Sequence, residues 1–375
     1  MTKLNLTRLK HFLKSEAVLV IAALAALLSM FFVPPNKDYI EYIDFRTLSL
    51  LFSLMLAISG LKSIGLFDAL AFAVIPRFKN ARTLCLVLTL LCFFSSMFIT
   101  NDVALITFVP FTIILFTASG LMERLIFTVV LETAAANLGS MLTPVGNPQN
   151  LYLYSRFHIN PVEFFSITLP VSIMGIIFLS AASLLCKKQQ VSMEPQPLVS
   201  LLDRKKLFLY LLLFILCLLS VFYLIDYRLM VLLVVLLIFK TDRKLLLHAD
   251  YGLLLTFVSF FLFVGNAEKI EAIHKALTTF IKGRELLSGV LLSQVISNVP
   301  AAVLLSGFTD NCRALLIGTN IGGLGTLIAS LASLISFKFY VRTKNAKPFR
   351  YIFVFTVLNI GLLLPILALS LIFLT

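Results

Sequence analysis

Apolar residues run through this chain in blocks, with the polar positions gathered between them. Residues 17–33 (AVLVIAALAALLSMFFV), 46–62, 161–185, 207–225, 229–239, 250–265 and 351–374 read as complete apolar crossings. Most approach the roughly 20 residues that a helix needs to span about 30 Å of hydrocarbon. The alternation that marks a membrane β-strand is missing, so an outer-membrane barrel is excluded. Two more blocks, 123–150 and 314–337, are interrupted by glycine and polar residues, and the pairs 83–118 and 285–309 each carry a polar break at their middle. As plain crossings those pairs would carry Asn-Asp or Ser-Asn into lipid, so they are expected to enter and return as re-entrant hairpins.

Composition agrees with the pattern. Of 375 residues, 60% are hydrophobic and 13% charged, with a mean hydropathy of +1.02. The net charge of +13 comes from basic residues lying between apolar blocks, which orients a membrane protein and argues against a nucleic-acid partner. With the N-terminus inside, segments 1–16, 62–82, 119–124, 186–206, 240–249 and 338–350 are cytoplasmic and hold 22 of the 31 Lys and Arg residues. The expectation is nine crossings, a cytoplasmic N-terminus and an outside C-terminus, in a bacterial inner membrane. The first block lacks a small-residue cleavage site and is expected to be retained. The five cysteines are scattered in apolar stretches and the four histidines, His11, His158, His248 and His274, do not cluster, so no metal centre and no cofactor are expected.

Two parts of the chain carry similar text. DFRTLSLLFSLMLAISG (44–60) matches DYGLLLTFVSFFLFVG (250–265), FITNDVALITFVPF (98–111) matches VISNVPAAVLLSGF (295–308), and NLGSMLTPVGNPQNLYLY (137–154) matches NIGGLGTLIASLASLISF (320–337). The first copy starts outside and the second inside, which predicts an all-α polytopic protein of two inverted-topology repeats. Each would contain a re-entrant hairpin, a broken transmembrane helix and an amphipathic arm (63–79 or 268–283). The organisation expected is 1–43, tail and first helix; 44–186, first repeat; 187–249, linker and connecting helices; 250–375, second repeat. Inverted repeats with broken helices in matching places point to a secondary transporter with a midplane site.

Proline and glycine open a helix and free backbone groups, which survive in the bilayer only around a wet, protein-lined site. Opened carbonyls suit a cation, and the amide end of the following half-helix suits an anion. The candidate residues of the first half are Thr100, Asn101, Asp102, Asn137, Ser140, Thr143, Gly146 and Asn147. Those of the second are Ser297, Asn298, Thr319, Asn320, Gly323 and Thr326. Gln149, Asn150, Gly322 and Ser330 supply further polar or flexible positions, while Ser293 and Gln294 read as packing residues. Thr, Ser, Asn and Asp at the two tips also read as ordinary helix caps. Asp102 and Glu132 are the acids placed well inside the membrane. A carboxyl group held there is a candidate proton carrier, although the helix N-terminus at Asp102 equally favours an ionised cation ligand. For Glu132 a structural hydrogen bond stands beside the coupling role. Sodium is allowed at the Asn101 and Asn298 loops.

The runs TNDVALITFVPF, NLGSMLTPVGNPQNLYL, SNVPAAVLL and GTNIGGLGTLIAS resemble, in order, the motifs of the ion transporter superfamily, which includes divalent-anion symporters, arsenite permeases and sodium/proton antiporters. The resemblance implies two inverted repeats, a homodimer, and a transport domain moving elevator-fashion against a scaffold. Thr100-Asn101-Asp102 and Ser297-Asn298-Val299 fall where dicarboxylate carriers show Ser-Asn-Thr, and both depart at the third residue. The function expected is ion-coupled transport of a small inorganic or organic anion or oxyanion with sodium or protons. Arsenite efflux and sodium/proton antiport are the alternatives within this fold. A channel and an intramembrane enzyme remain as different classes; the latter lacks a mid-span histidine or paired acids at protease spacing.

Overall fold

The computed structural model describes residues 16–67, 69, 80–190 and 203–374. His11, most of the amphipathic stretch 63–79 and the 191–202 part of the linker lie outside the described residues. Among the described residues the chain is all helix, without a named strand. It is a multi-pass membrane protein: among the described residues six helices are long and apolar enough to cross a bilayer.

In chain order the helices are α1 (Ala17–Ser29), α2 (Phe45–Ser63), α3 (Ala81–Ile99), α4 (Asn101–Ala118), α5 (Met122–Ser140), α6 (Pro148–Arg156), α7 (Pro161–Ser183) and α8 (Arg204–Val221). There follow α9 (Tyr227–Asp242), α10 (Tyr251–Lys269), α11 (Glu271–Ile281), α12 (Glu285–Ile296), α13 (Asn298–Ser306), α14 (Cys312–Ile321), α15 (Leu331–Val341) and α16 (Pro348–Phe373). The short apolar block 229–239 is thus extended at both ends into the 16-residue helix α9. The 83–118 block becomes two consecutive helices, each long and apolar enough to cross by itself.

Local chemistry explains where the elements start. Asp44 and Asp250 cap α2 and α10 in the same way, accepting the amide of the third residue on, Thr47 at 2.9 Å and Leu253 at 2.8 Å. Pro148 and Pro161 occupy the first turns of α6 and α7, where a missing N–H costs nothing, behind the caps Asn147 and Asn160. Between α3 and α4 the chain turns on Thr100 (φ 70°, ψ 152°), and between α12 and α13 on Ser297 (φ 77°, ψ 155°). Side-chain-bearing residues rarely take that conformation, which costs about 1–3 kcal/mol and persists only where surroundings enforce it. Here the next amide is tied down in both places: Asn101 N donates to Gly146 O at 3.1 Å, and Asn298 N to Ala329 O at 2.9 Å.

The helices pack in two groups. In one, α1 lies along α10, and α2 packs on α8 and α9. In the other, α5 is the central element, against α3, α4, α7, α15 and α16, with α12 on α14 beside it. The close packing needs glycine: a Cβ at Gly139 of α5 would stand 2.0 Å from Phe93 O of α3, and one at Gly318 of α14 would stand 2.4 Å from Leu286 O of α12. Contacts of α2 with α6 and of α10 with α13 join the groups.

Candidate functional site

Where the two breaks face each other, seven polar residues singled out from the sequence are buried together: Asn101, Asn137, Ser140, Asn147, Asn150, Asn320 and Ser330. After α5 the chain leaves helical geometry over 141–147 and restarts at Pro148; after α14 it does so over 322–330 and restarts at Leu331. The carbonyls released need partners. Asn150 Nδ2 takes those of Met141 at 3.0 Å and Thr143 at 3.1 Å, and Gln294 Nε2 takes those of Gly322 at 2.8 Å and Leu324 at 3.0 Å. Each loop is also stitched to the helix before the neighbouring turn. Thr143 Oγ1 donates to Met97 O, and Thr326 Oγ1 to Gln294 O at 3.3 Å.

Asparagines then cross between the halves. Asn137 accepts from Asn101 Nδ2 at 3.1 Å and from Ser330 Oγ at 3.0 Å, and donates to Gly323 O at 3.2 Å. Asn147 donates to Asn320 Oδ1 at 3.0 Å and to Ser140 Oγ at 3.2 Å, while Asn320 donates to Asn150 Oδ1 at 2.6 Å. All of these side chains are buried. An added Cβ at Gly323 would meet Asn298 Nδ2 at 3.0 Å, so a larger residue there pushes into the amides. Gly146 is similarly confined, by Ser140 O at 2.1 Å.

Among the described residues, two cavities are lined by residues of this centre and another lies across α6 from it. The largest, about 880 Å³, lies between the two helix groups: Thr100, Asp102, Val145 and Asn147 form one wall and Leu54, Ser59, Asp242 and Asp250 the other. Lys62, Lys244 and His248 also line it. A second, of 590 Å³, is lined by Asp38, Asp44, Arg46, Arg156, Glu268 and Lys269. Adjacent residues of α6 divide them, Leu151 lining the first and Tyr152 the second. The Tyr152 ring packs on Phe257 and Phe261 and its hydroxyl lies 2.7 Å from Ser306 Oγ. A third cavity, about 10 Å³, sits between the two turns and is lined by Asn101, Asp102, Gln149, Asn298, Val299 and Ser330 among others.

Some predicted residues fall elsewhere. Thr319 Oγ1 donates to Leu315 O of its own helix, so it belongs to α14 and not to the crossing amides. Glu132 sits on α5 at zero exposure, accepting from Thr112 Oγ1 of α4 at 2.5 Å, and lines none of the three cavities just described. Asn101 Oδ1 and Asn298 Oδ1 are engaged by the next backbone amides, of Asp102 at 2.9 Å and Val299 at 3.0 Å. The capping expectation is corrected at the cap positions themselves: Thr100 and Ser297 make no side-chain cap hydrogen bond, because both are turned into the left-handed region of positive φ. The reading of Gln294 as a packing residue is corrected: its side chain makes three hydrogen bonds to the second loop, including one from Thr326 N at 2.9 Å. Its signal was an amide one turn before the Ser297 break. Ser293, by contrast, bonds to Gly289 O of its own helix at 2.6 Å and packs by Gly322.

Residues 8–312 match the model of a protein family described as citrate transporter. The chain belongs to that family. Full-length similarity points the same way: the chain is 31% identical to an uncharacterized transporter of Methanocaldococcus jannaschii, over 95% of this chain and 97% of that one. It is 32% identical to the inner membrane protein YbiR of Escherichia coli, over 82% and 83% respectively. Over 40% of this chain and 31% of the other, it is 33% identical to a silicon efflux transporter of Oryza sativa subsp. japonica. Membership of the citrate transporter family assigns the protein to membrane transport and to the ion transporter superfamily that its motifs resemble.

Proposed function

We propose that this protein is an ion-coupled secondary transporter of a small inorganic or organic anion or oxyanion. The observation that carries the proposal is the buried set of crossing asparagines between two strained turns and two helix breaks, with Thr100, Asp102 and Asn147 reaching a large cavity. A packing centre would have no reason to interrupt helices there, because opened backbone in a bilayer is tolerated only when protein or water satisfies it.

In this reading the chain is two inverted repeats with re-entrant hairpins at Thr100 and Ser297. The matched backbone angles, matched amide anchors and matched aspartate caps support the pairing. The helices around α5 are the moving body; α1, α2 and α8–α10 are the scaffold, in an elevator-type homodimer like that of the superfamily it resembles. The large cavity is lined by Lys62 and Lys244, from segments that the charge bias favours as cytoplasmic, which supports an inward-facing arrangement in this reading. Arg156 and Lys269, from segments assigned outside, line the other cavity. Asp102, at the cavity wall, is the coupling residue.

A second reading is export of a neutral oxyacid such as arsenite. Its support is that Asp102 adds negative charge to a centre whose crossing residues include no Lys or Arg. Uptake and counterflow in proteoliposomes with sulfate, citrate, succinate and arsenite separate the readings. Asp102→Asn is expected to abolish gradient-driven flux while keeping a monodisperse gel-filtration profile. Unchanged flux removes Asp102 from the mechanism.

A further inference from the structure

We propose that the turn between α15 and α16 docks an anionic phospholipid, its phosphate held by Lys344, Lys347 and Arg350 and one acyl chain laid along the exposed face of α16. The inference needs only that the chain sits in a bilayer, and it goes beyond the question of what is carried.

No Asp or Glu follows Asp310 in the chain, yet Lys338, Arg342, Lys344, Lys347 and Arg350 crowd into residues 338–350. All five are exposed, and among the described residues none of them has a carboxylate within ion-pair distance. Other basic segments of the same predicted side carry their own counter-charge. Asp203 precedes Arg204, Lys205 and Lys206, Asp242 lies between Lys240 and Arg243, and Glu123 stands 4.0 Å from Arg124. Orienting a span needs basic residues but does not need acids to be excluded, so orientation alone leaves this segment unexplained. The turn is also pinned from within the fold. Tyr340 stacks on Tyr351 with ring centroids 4.9 Å apart, Tyr351 stacks on Phe355 at 6.1 Å, and Lys347 N donates to the Tyr340 hydroxyl at 3.0 Å. The end of α15 and the start of α16 are thereby held together, with basic residues on both.

Beside these cations α16 turns an apolar strip outward. Phe349, Phe353, Val357, Ile360 and Leu364 follow one another at helical spacing and share one face, and all are exposed, Phe349 by 89%. Unpaired cations next to a lipid-facing strip fit an amphiphile. Lys and Arg make charge-assisted hydrogen bonds to phosphate oxygens, and the first turn of α16 favours the same negative charge. A free phosphate would use the cations and leave the strip unused, so the two features together select a phospholipid. Residues 338–350 also fall on the side that the charge bias favours as cytoplasmic, the leaflet whose surface is negative.

The test is lipid binding by the purified full-length protein. Thermal unfolding is followed in neutral-detergent micelles while dioleoylphosphatidylglycerol replaces dioleoylphosphatidylcholine at constant total lipid. The wild type is expected to show a saturable rise in midpoint with phosphatidylglycerol. The triple variant Lys344→Gln, Lys347→Gln, Arg350→Gln is expected to weaken the apparent affinity about a hundredfold, about fivefold for each base. The triple variant Arg204→Gln, Lys205→Gln, Lys206→Gln removes the same charge elsewhere and is expected to respond as the wild type does. An undiminished response in the first variant, or an equal loss in the second, overturns the site. An equal rise with soluble glycerol 3-phosphate overturns the lipid as its occupant. Disulfide-linked dimers of Phe349→Cys in a cysteine-free background would give the strip to a second copy and overturn it too. Flux plays no part in these readouts, so their failure leaves the transporter reading intact.

Discussion

Removing Asn137 tests whether the centre is held together across the two halves of the chain. Its amide is 3% exposed and takes part in three hydrogen bonds, with Asn101, Ser330 and Gly323. Truncation in Asn137→Ala deletes all three at about 1 kcal/mol each, or about 3 kcal/mol, and leaving the partners buried raises the cost towards about 5 kcal/mol. Ser330→Ala removes one of the same bonds and should cost about 1 kcal/mol. Since that bond is absent from both single mutants, the double mutant should be milder than the sum by about 1 kcal/mol. Reversible unfolding in mixed micelles, followed by circular dichroism, measures all four proteins. Pairing Ser330→Ala with Asn359→Ala supplies the control, because Asn359 bonds to Phe355 O within α16 and shares no partner with Ser330. Strict additivity of Asn137→Ala and Ser330→Ala, within about 0.3 kcal/mol, would refute the direct link between α5 and the second loop.

Other outcomes follow from close contacts and cavities. Gly139→Ala drives a methyl into the α3 backbone and should abolish recovery of folded protein, whereas Gly361→Ala, with nothing within 4 Å, should be neutral or stabilising by up to about 1 kcal/mol; gel filtration and unfolding midpoints report both. In a cysteine-free background, Ser59→Cys lines the large cavity and His158→Cys the second one. An impermeant maleimide should reach Ser59→Cys from the cytoplasmic side and His158→Cys from outside. The opposite pattern reverses the orientation.

Much of the centre was legible because its signals are local. Pro144 and Gly146 fall where the chain does leave helical geometry, between Ser140 and Pro148. Gly139 stays within α5, where it serves close packing, and Pro148 sits in the first turn of α6. The Asn101 and Asn298 turns were legible for the same reason, as polar residues halfway through apolar blocks. Gln294 was misread because its spacing fits a packed helix equally well; only the approach of the 322–330 loop gives its amide three partners. Thr319 erred the other way, its hydroxyl being satisfied by its own helix. Glu132 and Asp102 looked alike as acids in apolar surroundings, yet one is enclosed with Thr112 and the other lines two cavities.

By itself the order of residues determined that this is a helical membrane protein and that its helices open around 141–147 and 322–330, since hydrocarbon burial and backbone chemistry act over a few neighbouring positions. Tertiary structure decided which amides meet, such as Asn137 with Ser330 across 193 positions, and which oxygens are left without partners. It also decided that the large cavity lies between the α2–α9 side and the α4–α6 side. Those outcomes depend on how helices distant in sequence lie against each other, and a hydrogen bond forms or fails within a few tenths of an ångström, a distance that no local pattern encodes.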